Sequence, residues 1–147
     1  MSARPEPAEA DEAAAAAANA EFYAAFEAAD LDRMDTLWDV DGLEPVSCVH
    51  PGWPLIRGRQ RVLRSWAVIM ANTAYIQFVL TDVTVAVLGE VAVVTCDENI
   101  LTSAEPGDAG QVAATNIFRR RDGRWRLWVH HGSPVLAADR PVPEELP

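Results

Sequence analysis

Three histidines, two cysteines and a scatter of carboxylates are the side chains here with the means to do chemistry. His50 closes the stretch 45–50, which includes Cys48, and opens a Pro51-Gly52 turn leading into Trp53. A neutral imidazole at that place can shuttle a proton or orient a ligand, or it can brace the turn through a hydrogen bond to loop backbone. The other two histidines, His130 and His131, are adjacent, so if they lie on a strand they point to opposite faces.

Strand alternation assigns those faces. Over 124–133, Trp125, Leu127, Val129, His131 and Ser133 form one set, apolar and free of charge; Arg124, Arg126, Trp128 and His130 form the other. The first set is expected inside, which makes His131 the acid–base candidate and puts His130 and Trp128 outside. In the preceding strand Asn116 is in phase with Ala114 and Phe118. Placed inward, it could fix a carbonyl or hydroxyl of a ligand, or hydrogen-bond loop backbone. One strand earlier, Glu98 shares a stripe with Ala92, Val94, Cys96 and Ile100. Burial would raise its pKa toward the range of a general base; alternatively it sits at a strand end and pairs with an arginine. The opposite face of 91–102 is also apolar enough to point inward, which would exchange Glu98 for Asp97. Tyr23, Trp53, Trp66, Cys96, Asn116 and Phe118 complete the expected ligand-facing set.

The elements that must position these groups follow from periodicity. Residues 9–29 are alanine-rich and read as one helix, with Phe22 and Phe26 on one face and Tyr23 beside them. Asp30 or Asp32 can cap a second helix carrying Leu31, Met34, Leu37 and Trp38. The segment that follows, with Asp39 and Asp41, looks exposed. A short strand over 45–50 precedes a third helix over 58–70, whose stripe is Val62, Leu63, Trp66 and Ile69. Four strands close the chain, at 75–88, 91–102, 111–121 and 124–133, with tight turns at Gly89-Glu90 and Asp122-Gly123. The expected domain spans 9–137, between a disordered tip (1–8) and a loose tail (138–147). The fold class is α+β: three helices packed on a strongly curved antiparallel sheet, enclosing a conical cavity suited to a small molecule.

Composition narrows the partners. The chain has 147 residues and a net charge of −10, and all twelve basic residues are arginine, as in a GC-rich bacterial coding sequence. Such a charge argues against nucleic acid and against anionic membrane. The arginines at 57, 59, 61 and 64, and those around the 119–126 turn, read as solvated faces. No segment approaches the run of about 18 apolar residues that spans a bilayer, and the alanine run at 13–18 lacks a basic leader, so a cytoplasmic protein is expected. The cysteines lack CxxC spacing and no HxH or HExxH occurs, so neither a metal site nor another cofactor is expected.

Taken together, "DLDRMDTLW", "CVHPGW", "RGRQRVLRSW", "ATNIFRRRDGRWRL" and "HHGS" resemble the NTF2-like superfamily, in particular its SnoaL-like branch, over about residues 18–135. The resemblance implies a cone-shaped fold and a homodimer formed through the outer sheet face. It also implies either an acid–base enzyme on an apolar carbonyl compound (an isomerase, dehydratase or cyclase) or a non-catalytic binding or association domain. The aspartate base, tyrosine and protonated aspartate of ketosteroid isomerase, an enzyme of that superfamily, find no convincing copy here.

Overall fold

The structure, a computed structural model, describes residues 7–102 and 109–136. Residues 1–6 and 137–147, which hold most of the expected tip and all of the expected tail, lie outside the described residues. Helix α1 (Pro7–Glu27) buries Ala15, Asn19, Phe22 and Tyr23 and packs against the sheet. Helix α2 (Leu31–Leu37) is capped by Asp30, whose carboxylate accepts from the Arg33 N–H at 3.1 Å. Strand β1 (Ser47–Val49) and a two-residue strand β2 (Ile56–Arg57) precede helix α3 (Arg59–Ala71). Strands β3 (Gln77–Leu88), β4 (Val91–Leu101), β5 (Ala109–Arg121) and β6 (Arg124–Pro134) complete the chain.

The α+β expectation holds, and the sheet gains a member. Six strands run in the order β2-β1-β6-β5-β4-β3, with β1 parallel to β6 and every other pair antiparallel. Strand β2 is too short for a periodic signal and forms only as the partner of Ser47 and Cys48. The β5–β6 turn meets the expectation of a tight hairpin, since Asp122 and Gly123 have φ of 53° and 75°.

Strands β4 and β5 keep an unbroken register, and Ala92, Val94, Cys96, Glu98, Ala114, Asn116 and Phe118 are buried as expected. Strand β6 does not. Ile117 pairs with Val129 but Phe118 pairs with Leu127, so Trp128 is a surplus residue with no partner across the strand. This bulge inverts the alternation that follows. Trp125 and Leu127 point inward, and then His130 and Gly132, while His131 and Ser133 are exposed. The expected inward placement of His131 is therefore corrected to His130. Gly132 lets the His50–Trp53 turn close over the sheet, because a Cβ there would lie 3.1 Å from the Pro51 ring.

The segment after α2 differs from expectation as well. Asp41 is exposed, but Asp39 is fully buried. Arg119 and Arg121 both donate to its carboxylate, Arg121 Nε at 2.7 Å. Arg119 also donates to the carbonyls of Glu44 at 3.0 Å and Val40 at 2.9 Å, tying the segment down. Burial pushes the Asp39 carboxyl up, but the hydrogen bonds from Arg121, Arg119 and the backbone outweigh it and hold it below the usual carboxylate range. These arginines, and Arg120 stacked 4.4 Å over the Trp125 ring, are structural rather than merely solvated.

A lowered carboxyl pKa adds stability at neutral pH that disappears as pH falls through the folded-state value. Asp39→Asn should therefore cost about 3 kcal/mol in urea denaturation at neutral pH, the low end for a broken buried pair, because Arg121 is 42% exposed. The difference should begin to narrow below about pH 4, where the unfolded-state carboxyl protonates, and go on narrowing until the native carboxyl, whose pKa is lower, protonates as well. An unchanged midpoint at neutral pH would contradict the clamp.

Candidate functional site

Between α1, α3 and the sheet lies a cavity of about 200 Å³. Its wall is aromatic and aliphatic. Helix α1 contributes Phe22, Tyr23 and Phe26, α3 contributes Trp66 and Ile69, and Ile76, Phe78 and Ile100 come from the sheet side. The turn after β1 supplies His50, Pro51 and Trp53. Trp66 packs edge-on against Phe22, Phe26 and His50 at centroid distances of 5.4, 4.9 and 4.6 Å, an arrangement that fixes the rings without filling the space between them. Among the lining residues the titratable side chains are Tyr23, His50, Glu98 and His130, and the Trp66 indole N–H is buried without a hydrogen-bond partner among the described residues.

Those polar groups are set by a directed hydrogen-bond chain. His130 Nδ1 lies 2.5 Å from Asn116 Oδ1. A carbonyl oxygen only accepts, so Nδ1 carries the ring proton and Nε2 keeps a lone pair. Asn116 Nδ2 donates to Asn19 Oδ1 at 2.8 Å and to the Tyr23 hydroxyl at 3.1 Å. Tyr23 in turn donates to Glu98 Oε2 at 2.5 Å. His130 Nε2 and Glu98 Oε1 have no hydrogen-bond partner among the described residues. His50 is fixed separately: the Ser65 hydroxyl donates its proton to Val62 O at 2.6 Å, so it accepts from His50 Nε2–H at 2.8 Å.

Burial dominates the electrostatics. It pushes the Glu98 carboxyl up to about 7, only partly offset by the bond from Tyr23. It pushes His50 down to about 4, and His130, assisted by the charges of His50 and His131, down to about 3. Tyr23 is raised by burial and by the Glu98 charge, so the phenol keeps its proton. Both cysteines are free and buried, and burial raises both thiols. At neutral pH the cavity thus holds two neutral imidazoles and one carboxyl poised between its two forms. That carboxyl can take or give a proton, and the free imidazole nitrogen can accept a hydrogen bond. Among the described residues, no three His, Cys, Asp or Glu side chains cluster so as to hold a metal ion.

Of the residues singled out from sequence, Tyr23, His50, Trp53, Trp66 and Glu98 line the cavity. Cys96 and Asn116 stand behind it, each against the Tyr23 hydroxyl. Phe118 is fully buried in the core. His131 is on the other side of the sheet, beside Asp97 and Thr115. His130 was missed because only the bulge turns it inward; Phe22 and Phe26 were legible as a helical stripe, but not as a cavity wall.

A carboxyl whose pKa is raised on folding binds more protons in the native state, so it destabilises the fold as pH rises from its unfolded toward its folded value. Glu98→Gln removes that penalty. The variant should be more stable than the native protein by up to about 3 kcal/mol at about pH 8, with the gap closing toward about pH 5. The two histidines contribute with opposite sign, losing stability as pH falls below about 6.5, but they do so equally in both proteins. Thermal melts across this range check the prediction, and a gap independent of pH would contradict it.

The family described as SnoaL-like domain matches residues 15–137. An F-box protein of Arabidopsis thaliana, SKIP8, is 28% identical over 124 residues, or 84% of this chain and 51% of that protein, so the chain spans about half the length of this curated relative. A crystal structure of a candidate dehydratase of the NTF2-like family from Streptomyces avermitilis is 48% identical, with a TM-score of 0.81 over 88% of this chain and 99% of that one. A candidate calcium/calmodulin-dependent protein kinase II association domain from Thiobacillus denitrificans is 29% identical, with a TM-score of 0.75 over 92% and 99% of the two chains. Among the described residues no helix is long and apolar enough to cross a membrane.

Proposed function

The chain belongs to the SnoaL-like domain family, and from that premise we propose that it binds a small, largely apolar carbonyl compound in the aromatic cavity and moves a proton on it with Glu98. One observation carries the reading: a buried carboxyl pushed up to about 7, held by Tyr23 through one oxygen and open to the cavity through the other. Dehydration is the first reaction class to test, since the 48% identical neighbour is described as a candidate dehydratase. Ionised Glu98 takes a proton from the carbon next to the carbonyl, and the electron pair moves onto the carbonyl oxygen. As that pair returns to form the C=C bond, the β-carbon–oxygen bond breaks. The departing hydroxyl recovers the proton from Glu98 and leaves as water, so the carboxylate is regenerated. His130 Nε2 accepts a hydrogen bond from the β-hydroxyl and orients it.

A non-catalytic pocket or association domain is the second reading. It is favoured by the neutrality of both cavity histidines, which leaves a single group titrating near pH 7, and by the likeness to an association domain. A panel of 3-hydroxyketones and 3-hydroxyacyl thioesters separates the two. Glu98→Gln should lower kcat at least about 100-fold, the ordinary scale for a lost general base. His130→Ala should reduce turnover more than His131→Ala, and the native rate should rise through about pH 7. No turnover by the native protein on any member, with binding retained, would favour the second reading.

The outer sheet face is where we place a homodimer contact. Val93, Ile117 and Val129 stand in register there and are half-buried, beside a hollow with His131 and Thr115. The protein should sediment as a dimer at micromolar concentration, and Ile117→Glu should shift it toward monomer; a monomeric native mass would overturn the assignment.

A further inference from the structure

The arginines around the start of α3 do not all have the same job. Arg59 donates to Asp35 Oδ1 at 2.8 Å and to the carbonyls of Asp35, Trp38 and Asp39, so it holds α2 against α3. Arg61 and Arg64, three residues apart on one exposed side of the helix, have no carboxylate or hydrogen-bond partner among the described residues. They line a groove of about 240 Å³ with Trp53, Ile56, Ser65 and Val68. Trp53 is a wall of both the groove and the cavity. Ser65, in the groove, hydrogen-bonds His50, in the cavity, at 2.8 Å. The two spaces thus adjoin: they share the Trp53 ring, and the His50–Ser65 hydrogen bond joins a residue of one to a residue of the other.

We propose that this groove holds the anionic end, a carboxylate or phosphate, of the molecule whose apolar part occupies the cavity. The inference rests on the small-molecule reading above and names its substrate class: an amphipathic acid. On a chain of net charge −10 the overall field repels anions, so an anionic ligand needs a local pair of uncompensated guanidinium groups to be admitted. Arginine suits that task, because its planar fork pairs with carboxylate or phosphate through two hydrogen bonds. The interior dictates the orientation. Ionised Glu98 and the lone pair of His130 would repel an anion placed among them, whereas Trp66, Phe22 and Phe26 favour hydrocarbon. The apolar end goes in and the charge stays at the mouth, against Trp53.

The test is calorimetric titration of the full chain at low ionic strength with decanoate, decyl phosphate and uncharged 1-decanol, each below its micellar concentration. At least one anion should bind about tenfold tighter than decanol, a difference of about 1.4 kcal/mol, and added salt should erode the preference. Whichever anion binds tighter identifies the headgroup. The double variant Arg61→Gln/Arg64→Gln, altered only at exposed positions, should bind decanol like the native protein and show no preference for either anion. The proposal is overturned if the native protein shows no preference or if the variant keeps it. In either case unchanged decanol binding leaves the cavity reading standing, whereas failure of all three ligands to bind would overturn both.

Discussion

A carboxamide sunk in an apolar wall sets the terms for the whole interior. Asn116 is fully buried, and each unmatched donor or acceptor at such a site would cost about 1–3 kcal/mol. Its oxygen is met by His130 and its nitrogen by Asn19 and Tyr23, so β5 is tied to β6 on one side and to α1 on the other. The same bonds decide the chemistry. They fix which nitrogen of His130 bears the proton, and they engage Tyr23 so that its hydroxyl points at Glu98. A buried polar network of this kind is rigid when complete, and the groups left open to the cavity are the ones the network does not use.

The network depends on a second constraint some distance away. His130 reaches Asn116 only because Trp128 is surplus in β6, and the bulge is pinned from outside the strand. The Asp39 N–H donates to Leu127 O at 2.9 Å, and Trp38 forms a bridge with Leu127. Arg119, which holds the Asp39 carboxylate, lies 5.0 Å over the Trp128 ring. The segment after α2 and the bulge are therefore one structural unit. A clamp that looks like a purely structural ion pair also selects which of two adjacent histidines faces the cavity.

This explains what could be read in advance. The inward faces of β4 and β5 were legible, since a strand in unbroken register obeys its period of two and the apolar stripe identifies itself. Trp125 and Leu127 were legible for the same reason. Beyond Leu127 the pattern was plausible but inverted: an adjacent histidine pair offers one imidazole to each face whichever way the strand turns, and nothing local marks Trp128 as surplus. Asp39 was misread because its partners, Arg119 and Arg121, are about 80 residues away in sequence, while its own neighbourhood is polar. The cavity wall drew on α1, α3, β3 and the Pro-Gly turn, so its aromatic residues were visible as stripes before they could be seen as one enclosure.

Among the described residues two carboxylates are buried and are treated oppositely, and the difference lies in where the arginines go. Asp39 and Glu98 are 0% and 4% exposed, and desolvation alone would raise both. Asp39 receives two guanidinium groups and falls below the usual range. Glu98 receives a neutral phenol, which offsets its burial only in part. Arg33 is engaged by Glu21, Arg59 by Asp35, and Arg120 by Asp11 and Glu90. No ion pair to Glu98 forms among the described residues, so the alternative of an arginine-paired strand-end acid does not hold. A stability argument alone would favour neutralising this carboxylate or replacing it with an apolar residue. Leaving it buried, unpaired and open on one side costs stability at neutral pH, and that cost is intelligible if the group has a proton to move.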